Sequence, residues 1–135
     1  MLTSITLSIV LLSECSIAED MHKEATRIRN RYGLPSQKLA EELCAIAQNW
    51  AENMADRKKM YHGGKEQIIA SGYSTISGCF AGWKYSRGHC AWLLSRSSLA
   101  GWGAAQSSSG RWYYAGCFYP KQPRYIPKKK KRKRK

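Results

Sequence analysis

Apolar residues recur at spacings of three and four between Leu39 and Met54: Leu39, Leu43, Ile46, Ala47, Trp50 and Met54. That is the period of a helix with one buried stripe. Lys38, Glu41, Glu42, Gln48, Asn49 and Glu52 fall on the other side. The pattern predicts a helix over 37–60, with Ser36 as its cap, Arg57-Lys58-Lys59 at its electronegative end and Gly63-Gly64 closing it. An earlier helix is predicted in "EDMHKEATRIRNRYG", acidic at its start, arginine-rich near its end and stopped by Gly33.

Further along, Ser74 or Thr75 can cap a third helix, "ISGCFAGWKY". Gly78 and Gly82 lower its propensity, and their spacing of four implies close packing along one side. "SRGHCAWLL" predicts a short fourth helix with His89 in its first turn. Two runs of aromatic and small residues flank "SSSG" within 99–120, a hairpin signal in which Gly110 can take positive φ. Ile68-Ile69-Ala70 is read as part of a loop. Pro120, Pro123 and Pro127 are expected to end ordered structure. Helices followed by an antiparallel hairpin make an α+β domain. Tyr61, Tyr73, Trp83, Trp92, Trp102, Trp112, Tyr113 and Tyr114 read first as core and sheet-face residues.

The chain has 135 residues, one domain by length. Its formal charge is +14, but "KKKKRKRK" at the end supplies eight of those charges, leaving six on the remainder. The body is moderately basic and the tail extreme. The expected organisation is a leader over 1–18, a domain over 19–120 and a disordered polybasic tail over 121–135. The leader rests on the apolar run Leu2–Leu12 and the small residues Ser16 and Ala18 before a cleavage point. That run is too short for a membrane span of about 20 residues and suits a secretory signal of about 7–15. It lacks a preceding Lys or Arg, so a buried N-terminal segment is the alternative. Glu14 before Cys15 argues against a lipid anchor.

Removal of that leader would leave Cys44, Cys79, Cys90 and Cys117. These permit one or two disulfides in three full pairings. Cys44 reads equally well as a small apolar residue on a helix. None has CxxC spacing, which argues against structural zinc.

In "MYHGGKEQIIASGYS" a histidine, His62, precedes two glycines, and Glu66 follows four residues after it. Taken alone, His62 is a polar helix terminator, Glu66 a solvated charge and His89 a helix-capping residue. A serine-hydrolase reading fails, because Asp20 and Asp56 are the only aspartates and neither is near a Ser–His pair in sequence.

Four stretches in order change this picture: "NRYGLPSQKLAEELCAIAQNWAENMA", "MYHGGKEQIIASGYS", "GWKYSRGHCAWLL" and "AGWGAAQSSSGRWYYAGCFY". Together they make the chain resemble, over about residues 22–119, the CAP superfamily: cysteine-rich secretory proteins, insect antigen 5 and plant pathogenesis-related class 1 proteins. The short bacterial-type SCP domains are the most similar branch. The resemblance implies an α-β-α sandwich with a central antiparallel sheet. It also implies a cleft where His62, Glu66 and His89 meet, able in several members to hold a divalent metal such as zinc. The family's second glutamate falls at Ser86, so that acid is absent here.

Three functions follow. The favoured one is a secreted binding protein, not an enzyme, for a lipid, sterol, glycan or protein ligand. Its tail, Lys128, Lys129, Lys130, Lys131, Arg132, Lys133, Arg134 and Lys135, would attach to anionic surfaces. The alternative is a metal-dependent hydrolase using His62, Glu66 and His89. The third is an intracellular nucleic-acid binder acting through the tail, which conflicts with a secretory leader.

Overall fold

The computed structural model describes residues 2–128, with side chains from residue 17 onward. In chain order it shows α1 (Leu2–Arg31), β1 (Lys38–Leu39), α2 (Glu41–Arg57), β2 (Ile68–Ser71), α3 (Ile76–Tyr85), α4 (Arg87–Leu93), β3 (Leu99–Gln106) and β4 (Trp112–Tyr119). The sheet runs β1-β3-β4-β2. β3–β4 and β4–β2 are antiparallel, whereas β1 lies parallel to β3, so the expected antiparallel sheet carries one parallel edge strand.

Side chains alternate across a strand, and this alternation divides the core in two. Ala100, Trp102 and Ala104 of β3, Tyr114 and Phe118 of β4, and Ile68 and Ala70 of β2 join residues of α1, α3 and α4. Ile69, Tyr113, Ala115 and Cys117 face α2 instead. The result is an α-β-α sandwich, α2 on one face and the other helices opposite.

The α2 face is built from small residues, which lets the helix lie close to the sheet. A Cβ at Gly101 would collide with the backbone of Leu43 and Cys44, and one at Gly103 with that of Ala47 and Gln48. Ala47, Ala51 and Ala55 are the matching buried positions on the helix, with Met54. Leu43, Ile46 and Trp50, expected in the stripe, are half-buried flanks of it.

Several boundaries differ from the sequence expectation. Helix α2 begins at Glu41, not near Ser36, because Lys38 and Ala40 donate backbone N–H groups to Ser98 and Ala100 and hold β1 extended. It ends at Arg57, ahead of the glycine pair. Lys58 takes φ 52°, and the N–H groups of Lys58 and Lys59 close on Ala55 and Met54. Ile68–Ser71, expected as loop, is the strand β2. Gln48, expected on the solvated face, turns to the sheet. Its Nε2 donates to Ala104 O at 2.9 Å and its Oε1 accepts from Ala104 N at 3.0 Å. It therefore replaces the ladder that two-residue β1 is too short to supply.

The third helix and the hairpin match expectation. Thr75 Oγ1 accepts from Gly78 N at 3.0 Å, Tyr73 packs over Gly78 and Gly82, and Gly110 turns with φ +90°. Residues beyond β4, expected to be disordered, return to the domain: Arg96 N donates to Gln122 O, Arg124 N donates to Ala91 O, and Ile126 packs on the core. Lys129–Lys135 and Met1 lie outside the described residues. The expected cleavage point after Ala18 falls within α1, where Ala18 is buried. No helix of the described residues is long and apolar enough to cross a membrane. No disulfide joins the four described cysteines, and Cys79, Cys90 and Cys117 are buried.

Candidate functional site

The loop between α2 and β2 is fixed by one tryptophan. Trp50 donates from Nε1 to Tyr61 O at 2.8 Å, and the Tyr61 ring meets it edge-on at 4.8 Å. Gly63 lies on the same indole, so closely that a Cβ there would be 2.5 Å from the ring. Gly64 serves differently, with φ +101°. The "HGG" sequence therefore combines a close approach with a left-handed turn. At its other end, the loop is set on β4. Gln67 N donates to Gly116 O, and Gln67 Oε1 accepts from Phe118 N at 2.6 Å.

This frame brings Glu66 under His62. Glu66 Oε1 accepts from Gly63 N at 2.5 Å and from His62 Nδ1 at 3.1 Å. The Glu66 side chain is 1% exposed and that of His62 57%. A carboxylate accepts, so His62 Nδ1 carries the proton and Nε2 is the atom open to a ligand. Glu66 is thus an orienting residue turned inward.

His89 is the third residue of α4 and is half-buried. Burial lowers its pKa below the usual imidazole value, and the charge of nearby His62 lowers it further, so His89 is neutral at pH 7. Its Nδ1 is sealed from solvent with no hydrogen-bond partner among the described residues. The structure therefore places His62 against Glu66, and His89 within electrostatic reach of His62. Ser86 stands at the α3–α4 junction, where its carbonyl accepts from Cys90 N at 2.7 Å. Its hydroxyl bonds neither histidine among the described residues. Cys117 is buried within electrostatic reach of Glu66: burial first, then the Glu66 and Cys44 charges, against an opposing Lys121, raise its thiol to about 12.

Zinc, which the resemblance implied, needs about three protein donors and one open position. Among the described residues, no group of three or more His, Cys, Asp or Glu could hold a metal ion. Both hydrogen bonds of Glu66, from Gly63 N and His62 Nδ1, fall on Oε1, and its side chain is 1% exposed, turned away from a shared position with His89. As arranged, the donor set does not fit resident zinc.

Two polar residues went unnoticed in the sequence. His22 accepts from Trp102 Nε1 at its Nδ1 (3.1 Å) and donates from Nε2 to Gln37 O (2.8 Å), which fixes a neutral tautomer in the core. Arg29 is 4% exposed. Its place four residues after Ala25 on the stripe Ala18, Met21, Ala25, Ile28 was the available signal.

Residues 24–119 match the Cysteine-rich secretory protein family, CAP. No curated protein sequence matches the chain. Among solved structures, an outer surface protein of Borrelia burgdorferi aligns with a TM-score of 0.65 at 14% identity, over 84% of this chain and 94% of that one. An extracellular SCP-domain protein of Bacillus anthracis aligns at 0.58 and 17%, over 75% of this chain and 39% of that one. The protein MpPR-1i aligns at 0.59 and 15%, over 81% and 94%. At such identities the likeness is one of fold.

Proposed function

Because this chain belongs to the cysteine-rich secretory protein (CAP) family, we propose that it acts outside the cell as a binding module. In this reading, the cleft between the α2–β2 loop and α4 holds an uncharged or hydroxyl-bearing ligand without transforming it. The carrying observation is the inward Glu66, 1% exposed and committed to Gly63 and His62. What remains toward a ligand is imidazole: His62 Nε2 and the neutral His89. Such groups accept hydrogen bonds from hydroxyls. The solved relatives described as outer-surface or extracellular support the location. The tail Lys128–Lys135 adds attachment to anionic surfaces, at about 1 kcal/mol per basic residue near an anionic membrane.

The test uses the side-chain nitrogen resonances of His62 and His89. Hexadecanol and cholesterol in bicelles, and a neutral oligosaccharide, are titrated in turn. Binding predicts that a ligand shifts both histidines, is recovered chemically unchanged, and loses affinity in His62→Ala and His89→Ala. Cleaved ligand that depends on zinc and on His62 would overturn this and establish the metal-dependent hydrolase.

A further inference from the structure

A cleft of about 570 Å³ lies away from the α2–β2 loop, between the end of α1, the residues leading to β1 and the α4–β3 connection. Its walls include Arg29, Arg96 and Arg124, together with Ser95 and Ser98. Arg29 projects from the buried face of α1. Its Nε donates to Pro35 O at 2.9 Å, and Nη1 donates to Leu93 O at 3.0 Å and to Ser95 O at 2.9 Å. Those three bonds leave the Nη2 donors without a protein acceptor among the described residues.

No carboxylate compensates these charges. The ion pairs of the described residues are Glu24 with Arg27 and Glu66 with His62, and neither reaches the cleft. Burial lowers the pKa of Arg29, and the Arg124 charge lowers it further. A buried guanidinium beside a second one, without an acid, is an unfavourable arrangement when empty. It becomes favourable when an anion enters, because planar guanidinium donors match oxyanion geometry. The surroundings add hydroxyl donors: Ser98 is exposed on the wall, and Ser95 Oγ, which accepts from Gln37 Nε2 at 3.2 Å, keeps its own proton. The backbone that carries Arg124 is fixed, since its N–H donates to Ala91 O at 2.8 Å, and Arg96 N donates to Gln122 O at 2.9 Å.

We propose that this arginine cleft is an anion site for a phosphate group, held by Arg29 Nη2, Arg96 and Arg124. More than one cation converges on one cleft, which suits a phosphate better than a singly charged carboxylate. The group can come from a free phosphate or from a lipid headgroup. The site is separate from the histidine cleft and stands whether or not that cleft binds a ligand.

The experiment uses the full chain. Inorganic phosphate is titrated at constant ionic strength set with sodium chloride, following the Arg29 Nε–H resonance. Vesicles of phosphatidylcholine with phosphatidic acid are compared with charge-matched vesicles containing phosphatidylglycerol, so that the polybasic tail contributes equally to both. The exposed side chains make Arg96→Gln and Arg124→Gln the safe variants for folding, which circular dichroism verifies. A saturable shift with phosphate that weakens about tenfold or more in each variant supports a free-phosphate site. A preference for phosphatidic acid, without a response to phosphate and lost in the variants, supports the headgroup source. If neither probe responds, or if binding is the same in both variants as in the wild type, the proposal is wrong.

Discussion

Replacing Gly63 with alanine tests whether the loop that carries His62 is held as described. Gly63 needs no special backbone, so the new methyl is the only perturbation. Its carbon would sit 2.5 Å from Trp50 Cη2 and Cζ3 and 2.7 Å from Cζ2. Carbon contacts settle near 3.5–4.0 Å, so something must yield by about 1 Å. Trp50 is tethered to Tyr61 O at 2.8 Å, and the loop is therefore the part that lifts. Lifting stretches the Gly63 N–H bond to Glu66, 2.5 Å in the wild type. A hydrogen bond to a charged group is worth about 1.5–3 kcal/mol, and overpacking costs about 1–3 kcal/mol. Gly63 is exposed, and water offsets part of the loss, so about 2–4 kcal/mol is expected. Urea unfolding should show a midpoint lower by about 1–2 M at unchanged slope. The side-chain nitrogen spectrum should show His62 Nδ1 losing its fixed proton. Two controls separate the causes. Gly64→Ala has nothing within 4 Å but φ +101°, and should cost about 1–2 kcal/mol of backbone strain while keeping the His62 tautomer. Gly88→Ala has open space and an ordinary φ, and should stabilise α4 by up to about 1 kcal/mol. A Gly63→Ala protein within about 0.5 kcal/mol of wild type, with His62 unchanged, would refute the tryptophan-held loop.

Other outcomes follow from the same geometry. Gln48→Ala strips Ala104 of both edge partners and should cost about 2–3 kcal/mol in urea unfolding, whereas exposed Asn49→Ala should be nearly silent. His89 and His22 both have folded pKa values below 6.5, so below 6.5 the unfolded chain takes up protons first and stability falls. Above 6.5 this contribution is flat, and His89→Asn should flatten part of the acid slope in urea midpoints taken from about pH 7.5 to 5. Deleting 128–135 should lower the salt concentration that elutes the protein from heparin, and unchanged elution would remove the tail from any role at anionic surfaces.

What was legible in the sequence had a local cause. The hairpin declares itself through "SSSG" and the turn at Gly110, and α3 through the Thr75 cap, because each depends on residues a few positions apart. The edges of the sheet were hidden. β1 has only two residues, Lys38 and Leu39, too few for any period, and it forms because β3 accepts it. β2 reads as an apolar triplet since Ile68 and Ile69 are buried on opposite faces, which erases the alternation of a half-exposed strand. Gln48 followed the helical period to the polar side, yet its long side chain reaches back to Ala104. In the site, family resemblance pointed to His62, Glu66 and His89, but not to their unequal roles. Those come from Trp50, whose contact with Gly63 presses the loop onto Glu66, a relation that spacing alone does not encode.

His89 and the arginine-lined cleft share a support in α4. His89 is its third residue, and Leu93, four residues on and about 6 Å along the axis, gives its carbonyl to Arg29 Nη1 at 3.0 Å. Ser95 O, just past the helix, takes a second bond at 2.9 Å. A seven-residue helix is too short to hold itself, so Arg29 is part of what fixes the ring of His89. Arg29→Lys retains the charge but cannot reach Pro35, Leu93 and Ser95 together. The end of α4 should loosen, water should reach the His89 ring, and its titration midpoint should rise toward 6.5, the ordinary value. His62 and Glu66 belong to a different loop and should keep their hydrogen bond. Imidazole nitrogen spectra across pH read both residues in one sample. If the variant is folded by circular dichroism and His89 titrates as in the wild type, α4 is positioned by its core contacts alone, and His89 and the arginine cleft are mechanically independent.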